Sequence, residues 1–253
     1  MKTVLKTALF MLGVLFFTGG ACPSNDTTQS NKVAQTEIYQ SYSISQNGQN
    51  YDVTAYFRVG GKTGTTLALI APSKVTFNGQ AMQEHLNTSS GTYYTASVPL
   101  TIANGVFAFT DRNSKTYTNR IDLPRVALAA ANLKTNGAAP VSIPLSAAPS
   151  ATATFTLDLN GHTVFVESAP GELTEAYYNK PTNSIVVMPV AWKEAASGTI
   201  PVGLEVRDGV TTTQGTALGG DISYRYESKP ANIALLKGKT KAARPKSKAS
   251  AKK

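Results

Sequence analysis

Across the middle of the chain the hydrophobic positions recur at every second residue. Tyr51, Val53, Ala55, Phe57 and Val59 alternate with Asp52, Thr54, Tyr56 and Arg58. Phe155, Leu157 and Leu159 alternate with Thr154, Thr156 and Asp158. Val202, Leu204 and Val206 alternate with Gly203, Glu205 and Arg207, and Ile222, Tyr224 and Tyr226 with Ser223, Arg225 and Glu227. Tyr117, Ile121 and Leu123 share one face after the polar tip 112–115. Successive strand side chains point to opposite faces, so each segment predicts a strand with one dry and one wet face. That is the signature of antiparallel sandwiches, and turn signals between the strands recur at sandwich spacing.

Five Asn-Gly pairs supply turns: Asn47-Gly48, Asn78-Gly79, Asn104-Gly105, Asn136-Gly137 and Asn160-Gly161. Both residue types tolerate the positive φ of a type I′ hairpin. A two-residue turn also fixes the partners. It predicts Ile44 opposite Tyr51, Tyr42 opposite Val53 and Ile38 opposite Phe57. It sets Val75 against Met82, Ile102 against Phe107, Leu100 against Phe109, Leu157 against Val164 and Phe155 against Val166. Every one of these pairs is apolar. Asn136-Gly137 lacks such flanks and predicts a loop. Residues 126–134 and 171–178 predict short helical turns. Trp192, on a strand with Met188 and Val190, is expected to anchor a core.

Pro124 closes the first run of strands, residues 125–153 are rich in Ala and Pro, and alternation restarts at Thr154. The expectation is an all-β protein of two antiparallel, immunoglobulin-like β-sandwich domains, residues 33–124 and 125–230, of about a hundred residues each. The Cys–Trp–Cys arrangement of true immunoglobulin domains is absent, and one continuous sandwich or barrel is the alternative. At 253 residues, 42% hydrophobic and 15% charged, the chain excludes wholesale disorder. Its single cysteine excludes an internal disulfide.

The N-terminus has the parts of a secretory signal: Lys2 and Lys6, an apolar run over 8–17, then Thr18-Gly19-Gly20-Ala21. The run is about half the ~20 residues a membrane-spanning helix needs, and no later segment approaches that length. Cys22 follows directly. Residues 1–22 resemble a bacterial lipoprotein precursor, departing at Gly19, where that family places Leu. The resemblance implies a signal peptide over 1–21, acylation of Cys22 and residence in the bacterial envelope as a membrane-anchored lipoprotein. A secreted or periplasmic protein cut after Ala21 is the alternative. Residues 22–32 (through PSNDTTQSNK) are polar and predict a flexible tether.

Candidate chemistry is sparse. The two histidines, His85 and His162, lie in different expected domains, so no Cys/His cluster suggests zinc. Asp111-Arg112-Asn113 and the turn 158–161 lack the alternating acidic ligands and closing Glu of a calcium loop. No metal and no cofactor is expected. There is no Gly-x-Ser-x-Gly elbow, the acids are scattered singly, and Gly60-Gly61-Lys62-Thr63-Gly64-Thr65 departs from phosphate-loop spacing. The expectation is a non-enzymatic binding or structural protein with an unknown protein or glycan partner. An envelope hydrolase acting on carbohydrate or peptide is the alternative, and it requires His85 or His162 to meet an acid and a Ser. The doublets Tyr93-Tyr94 and Tyr177-Tyr178 each put one ring outward on a strand, where it can stack on a sugar or anchor a partner.

The formal charge of +9 is unevenly placed. Residues 231–253 predict a disordered Lys-rich tail. Its last seventeen residues hold Lys237, Lys239, Lys241, Arg244, Lys246, Lys248, Lys252 and Lys253 and no acid. The rest of the mature chain has 14 basic against 15 acidic residues, so it is almost neutral. Any polyanion contact therefore belongs to the tail. Lipid headgroups, an anionic envelope polymer and, more weakly, nucleic acid are its expected partners.

Overall fold

The computed structural model describes residues 27–236 apart from 88, 124, 130–132, 194 and 196. The signal, Cys22 and the eight basic tail residues lie outside the described residues. The first half contains β1 (Thr27–Gln29), β2 (Ile38–Asn47), β3 (Asn50–Val59), β4 (Thr65–Ala68), β5 (Lys74–Phe77), β6 (Gln80–Ala81), β7 (Gln83–Asn87), β8 (Gly91–Pro99), β9 (Asn104–Thr110) and β10 (Thr116–Asp122). The second contains β11 (Lys134–Thr135), β12 (Val141–Pro144), β13 (Thr154–Leu159), β14 (His162–Glu167), β15 (Ala176–Asn179), β16 (Ser184–Val187), β17 (Gly198–Thr211), β18 (Gly220–Glu227) and β19 (Ala231–Leu235). Among the described residues there is no α-helix, only short 3-10 turns.

The expected alternation is what the strands show. Tyr51, Val53, Ala55 and Phe57 are buried, as are Phe155, Leu157 and Leu159, and Val202, Leu204 and Val206. They feed two separate cores. The N-terminal core lies between two sheets: Tyr42 of β2 stacks on Phe107 of β9 at 4.3 Å, and Phe57 of β3 meets Phe109 of β9 at 4.4 Å. The second sheet has the order β10-β9-β5-β6. The C-terminal core lies between β19-β17-β13-β14 on one side and β15-β16-β12 on the other. Among the described residues, only a two-residue parallel pairing of β14 with β15 links those sides.

Two of the turns follow the predicted chemistry. Asn78-Gly79 has φ of 49° and 80° and joins β5 to β6, and Met82 donates its amide to Val75 O at 3.2 Å. Asn160-Gly161 has φ of 57° and 93° and sets Leu157 against Val164 and Phe155 against Val166. Asn136-Gly137 is a loop.

Other expectations are corrected. At the first turn the loop is Gly48-Gln49, so Ile44 faces Val53 and Tyr42 faces Ala55. The slip is two residues, which preserves both faces. Asn104-Gly105 is no hairpin: it opens β9, whose partners are β10 and β5. Gly105 serves close packing there, since a Cβ would come within 2.6 Å of the Phe77 ring. Among the described residues of 126–134 and 171–178 no helical turn forms; residues 176–178 belong to β15. Trp192 is fully buried in the C-terminal core, but from a 3-10 turn (Pro189–Trp192). Hairpins are antiparallel, whereas β1–β4, β11–β19, β14–β15 and β18–β2 pair in parallel.

The division at 124/125 also changes. β18 runs beside β2, and Ile222 and Tyr224 enter the N-terminal core. The long strand β17 pairs with β19 and β13 over its first part and with β18 over its last, so it is shared by both modules. The expected tether is folded from Thr27 onward: β1 pairs with β4, and Ser30 is buried with its Oγ accepting the Ile70 amide at 2.9 Å. The expected tail is folded through Leu235, which is fully buried with Ile233.

Candidate functional site

The outer face of β14-β13-β17 carries a groove of about 1050 Å³. Its surface follows from the register. One cross-strand row reads Phe165, Thr156, Glu205, and Glu205 continues to Glu227 on β18. The next row reads Thr163, Asp158, Gly203. A third places Thr154 opposite Arg207, with Arg225 beyond it. Each of these side chains is the polar alternate of a core residue, except Phe165. The Phe165 ring stands 75% exposed on the wet face. Gly203 leaves the groove floor low beside Asp158, whose Cβ lies 3.5 Å from where a Gly203 side chain would begin.

The far wall is an ionic lattice. Glu205 accepts Nε of Arg207 and, at 2.8 Å, Nε of Arg225; Arg225 also donates to Glu227 at 2.8 Å. Partial burial opposes ionisation of Glu205, but the two guanidinium hydrogen bonds win and hold its carboxyl below the usual range. Two arginines and two glutamates cancel, so this wall carries no net charge. Asp158 accepts the Gly161 amide at 2.7 Å, so part of its hydrogen-bonding capacity serves the turn. Arg58, Arg207 and Arg225 are thus all engaged, Arg58 lying over the Tyr56 ring at 5.2 Å.

The tyrosine doublets divide differently from one another. Tyr94 is buried, accepts the Leu69 amide at 2.7 Å and donates to Glu84 at 3.0 Å. Tyr93 points outward, but its faces are taken: it stacks on Tyr56 at 5.6 Å and on His85 at 5.2 Å. Tyr177 and Tyr178 are both half-buried, and Tyr178 donates to Asn183 Oδ1 at 3.0 Å. Phe165 has no ring partner among the described residues. The sequence signal for it was its place opposite Thr156 and among threonines on a face that alternation makes polar, a signal the tyrosine doublets obscured.

Each histidine acquires one polar partner. His85 Nε2 lies 2.8 Å from Thr95 Oγ1, and His162 Nε2 lies 3.1 Å from Glu175 Oε1. Among the described residues neither is hydrogen-bonded to both an acid and a Ser. No group of three metal-ligating side chains occurs among the described residues. Asp111 is occupied in a turn, accepting the Asn113 and Lys115 amides at 2.8 and 2.9 Å. No helix among the described residues is long and apolar enough to cross a membrane.

No protein-family model matches the chain, and no curated protein does. Among solved structures it is similar to murine CEACAM1b, with TM-score 0.29 and 10% identity over 79% of this chain and 100% of that one. It is also similar to the Bacteroides ovatus mixed-linkage glucan utilization protein SGBP-B, in complex with a mixed-linkage heptasaccharide, with TM-score 0.23 and 10% identity over 87% of this chain and 68% of that one. A titin pair of tandem Ig domains gives TM-score 0.22 and 8% identity over 79% and 95%. Likenesses this distant assign neither ligand nor activity. The class defined by the strands themselves is a two-module β-sandwich protein with an open groove on its C-terminal module.

Proposed function

We propose that this is a bacterial envelope lipoprotein, held by acyl chains on Cys22, that binds an envelope or extracellular ligand in the groove of its C-terminal module. The observation that carries the binding role is Phe165: a large apolar ring left bare over a concave surface of threonines, prolines and charged side chains. Exposing it costs hydrophobic stabilisation that an inward alternative would gain, so a role in contact is the physical rationale for its place.

The fold bears on where such an anchor would hold the body. Between Cys22 and Thr27 there are five residue steps, which reach at most about 18 Å. Acylated Cys22 therefore holds the N-terminal module close to the bilayer. Thr27 pairs beside Thr66 and Arg58, at the end of the sheet near Thr211 and Gly220. Leu235 pairs with Gly198, at the opposite end of β17. A strand of fourteen residues spans about 45 Å. The basic tail thus leaves the body at the end remote from the anchor, which supports an anionic envelope polymer as its contact over the anchoring bilayer.

Full-length protein should partition into detergent phase, and Cys22→Ser should not; equal partitioning of the two removes the anchor. In 0.5 M salt, which screens the tail, labelled Cys22→Ser protein should bind isolated envelopes. Adding Phe165→Ala should abolish that binding, and undiminished binding would remove the groove as the site.

A further inference from the structure

Three features of the groove limit what it can hold. It lies on a sheet face, where the backbone groups of β13 are paired on both sides, with β14 and with β17. An extended peptide docks by adding a strand to an open edge, and the floor strand β13 offers none; β14 lacks a second strand partner only along its outer rim at 162–165, beyond the floor. The groove is open and has a single bare apolar ring, so it cannot enclose a greasy small molecule. The wall charges of Glu205, Glu227, Arg207 and Arg225 neutralise one another, which leaves the single carboxylate of Asp158 and no basic excess for an anionic ligand.

What it does offer is a flat ring at one side, hydroxyls of Thr156 and Thr163 along the floor, and a planar array of fixed donors and acceptors at the other. In the shared row, Phe165 and Glu205 flank Thr156, two strand spacings or about 10 Å apart. A pyranose has an apolar C–H face for an aromatic ring and an equatorial rim of hydroxyls for carboxylate and guanidinium groups. Two linked rings fill that span.

We propose that the groove binds a neutral oligosaccharide, one sugar stacked on Phe165 and the next hydrogen-bonded by Asp158, Glu205 and Arg207 over the gap at Gly203. This rests on the reading of the groove as the ligand site. The arginines and glutamates enter already ordered by their own pairs, so binding loses little side-chain freedom at the rim.

The test is a panel of neutral oligosaccharides of glucose, mannose, galactose, xylose and N-acetylglucosamine, printed as an array and followed by calorimetry on the full mature chain carrying Cys22→Ser. The expected result is binding to at least one series, unchanged between low and high salt because no ion pair forms. Phe165→Ala should weaken it roughly tenfold or more through loss of the stacking face. Gly203→Val, which fills the floor, should weaken it comparably while unfolding at the same urea concentration as the parent. If no series binds, yet Phe165→Ala still abolishes envelope binding, the saccharide proposal is overturned and the groove remains the site. If a sugar binds equally to the parent and to both variants, both the saccharide proposal and the groove are overturned.

Discussion

The N-terminal core contains nine aromatic rings, from Tyr42, Tyr51, Phe57, Phe77, Tyr94, Phe107, Phe109, Tyr117 and Tyr224. The C-terminal core contains two, Phe155 and Trp192, among valines, leucines and isoleucines. Their outer faces differ in the opposite sense. On the N-terminal module the outward rings cover one another, His85 on Tyr93 on Tyr56, with Arg58 closing the row. On the C-terminal module Phe165 stands alone. One module uses its rings to hold itself together, and the other leaves one bare. The difference separates two uses of aromatic rings: the aromatic module spends them on its core, and the aliphatic module carries the groove.

The largest effect should come from removing an internal ring. Phe57 is fully buried against Tyr42, Tyr94 and Phe109. Phe57→Ala should cost about 3–5 kcal/mol in urea unfolding, from lost transfer energy and the cavity left behind. Phe165→Ala should change stability by no more than about 0.5 kcal/mol, since its ring is already wet. Similar losses for both would erase the distinction between the modules.

The next effect concerns the end of the chain. Leu235→Ala should cost about 2–5 kcal/mol, because β19 closes the C-terminal core. Deleting 237–253 should leave the urea midpoint unchanged. If Leu235→Ala were as mild as that deletion, β19 would not belong to the folded body.

Alkali should then separate the modules. Burial pushes the hydroxyls of Tyr42, Tyr94 and Tyr224, all in the N-terminal core, above the usual tyrosine range. A raised pKa gives stability that is intact below the unfolded value near 10 and is lost as pH rises beyond it, because the unfolded chain ionises first. The N-terminal module should melt above about pH 10. Near-ultraviolet tyrosine ellipticity should therefore fall before the emission maximum of Trp192, the single tryptophan and a C-terminal core residue, moves. Simultaneous loss would show that shared β17 makes the two modules one cooperative unit.

The smallest effect belongs to Glu205. Its lowered pKa contributes stability above the ordinary carboxylate range that is lost as pH falls through its folded value. Melting temperatures measured from neutral to acid pH should fall less steeply for Glu205→Gln than for the parent. Parallel curves would mean that the arginine–glutamate wall does not stabilise the fold.

Much of the molecule was legible along the chain because alternation is a property of a single strand. It identified the buried faces of β3, β13, β17 and β18 without reference to any partner. Asn78-Gly79 and Asn160-Gly161 were legible because their turns need only local positive φ. Asn104-Gly105 misled for the same reason: a glycine required beneath the Phe77 ring looks identical to one required by a turn. The slip at Gly48 escaped notice because moving a partner by two residues leaves every side chain on its face. The candidate site was the least legible part. The register implied by Asn160-Gly161 already turns Phe165 outward beside Thr156, but only the assembled sheet shows that no neighbouring ring covers it there.

The sequence by itself determined that this is a β protein, which faces its strands bury, and that its excess charge lies in residues 1–6 and the last seventeen residues. Those are sums over local properties, fixed by covalent order. Tertiary structure alone decided that β18 crosses back to β2, that β17 serves both cores, that residues 27–32 and 231–235 fold, and that Thr27 and Leu235 lie toward opposite ends of β17. Each depends on which strand a ladder edge accepts. Backbone hydrogen bonds are the same for every residue, so only packing of the assembled faces makes that choice.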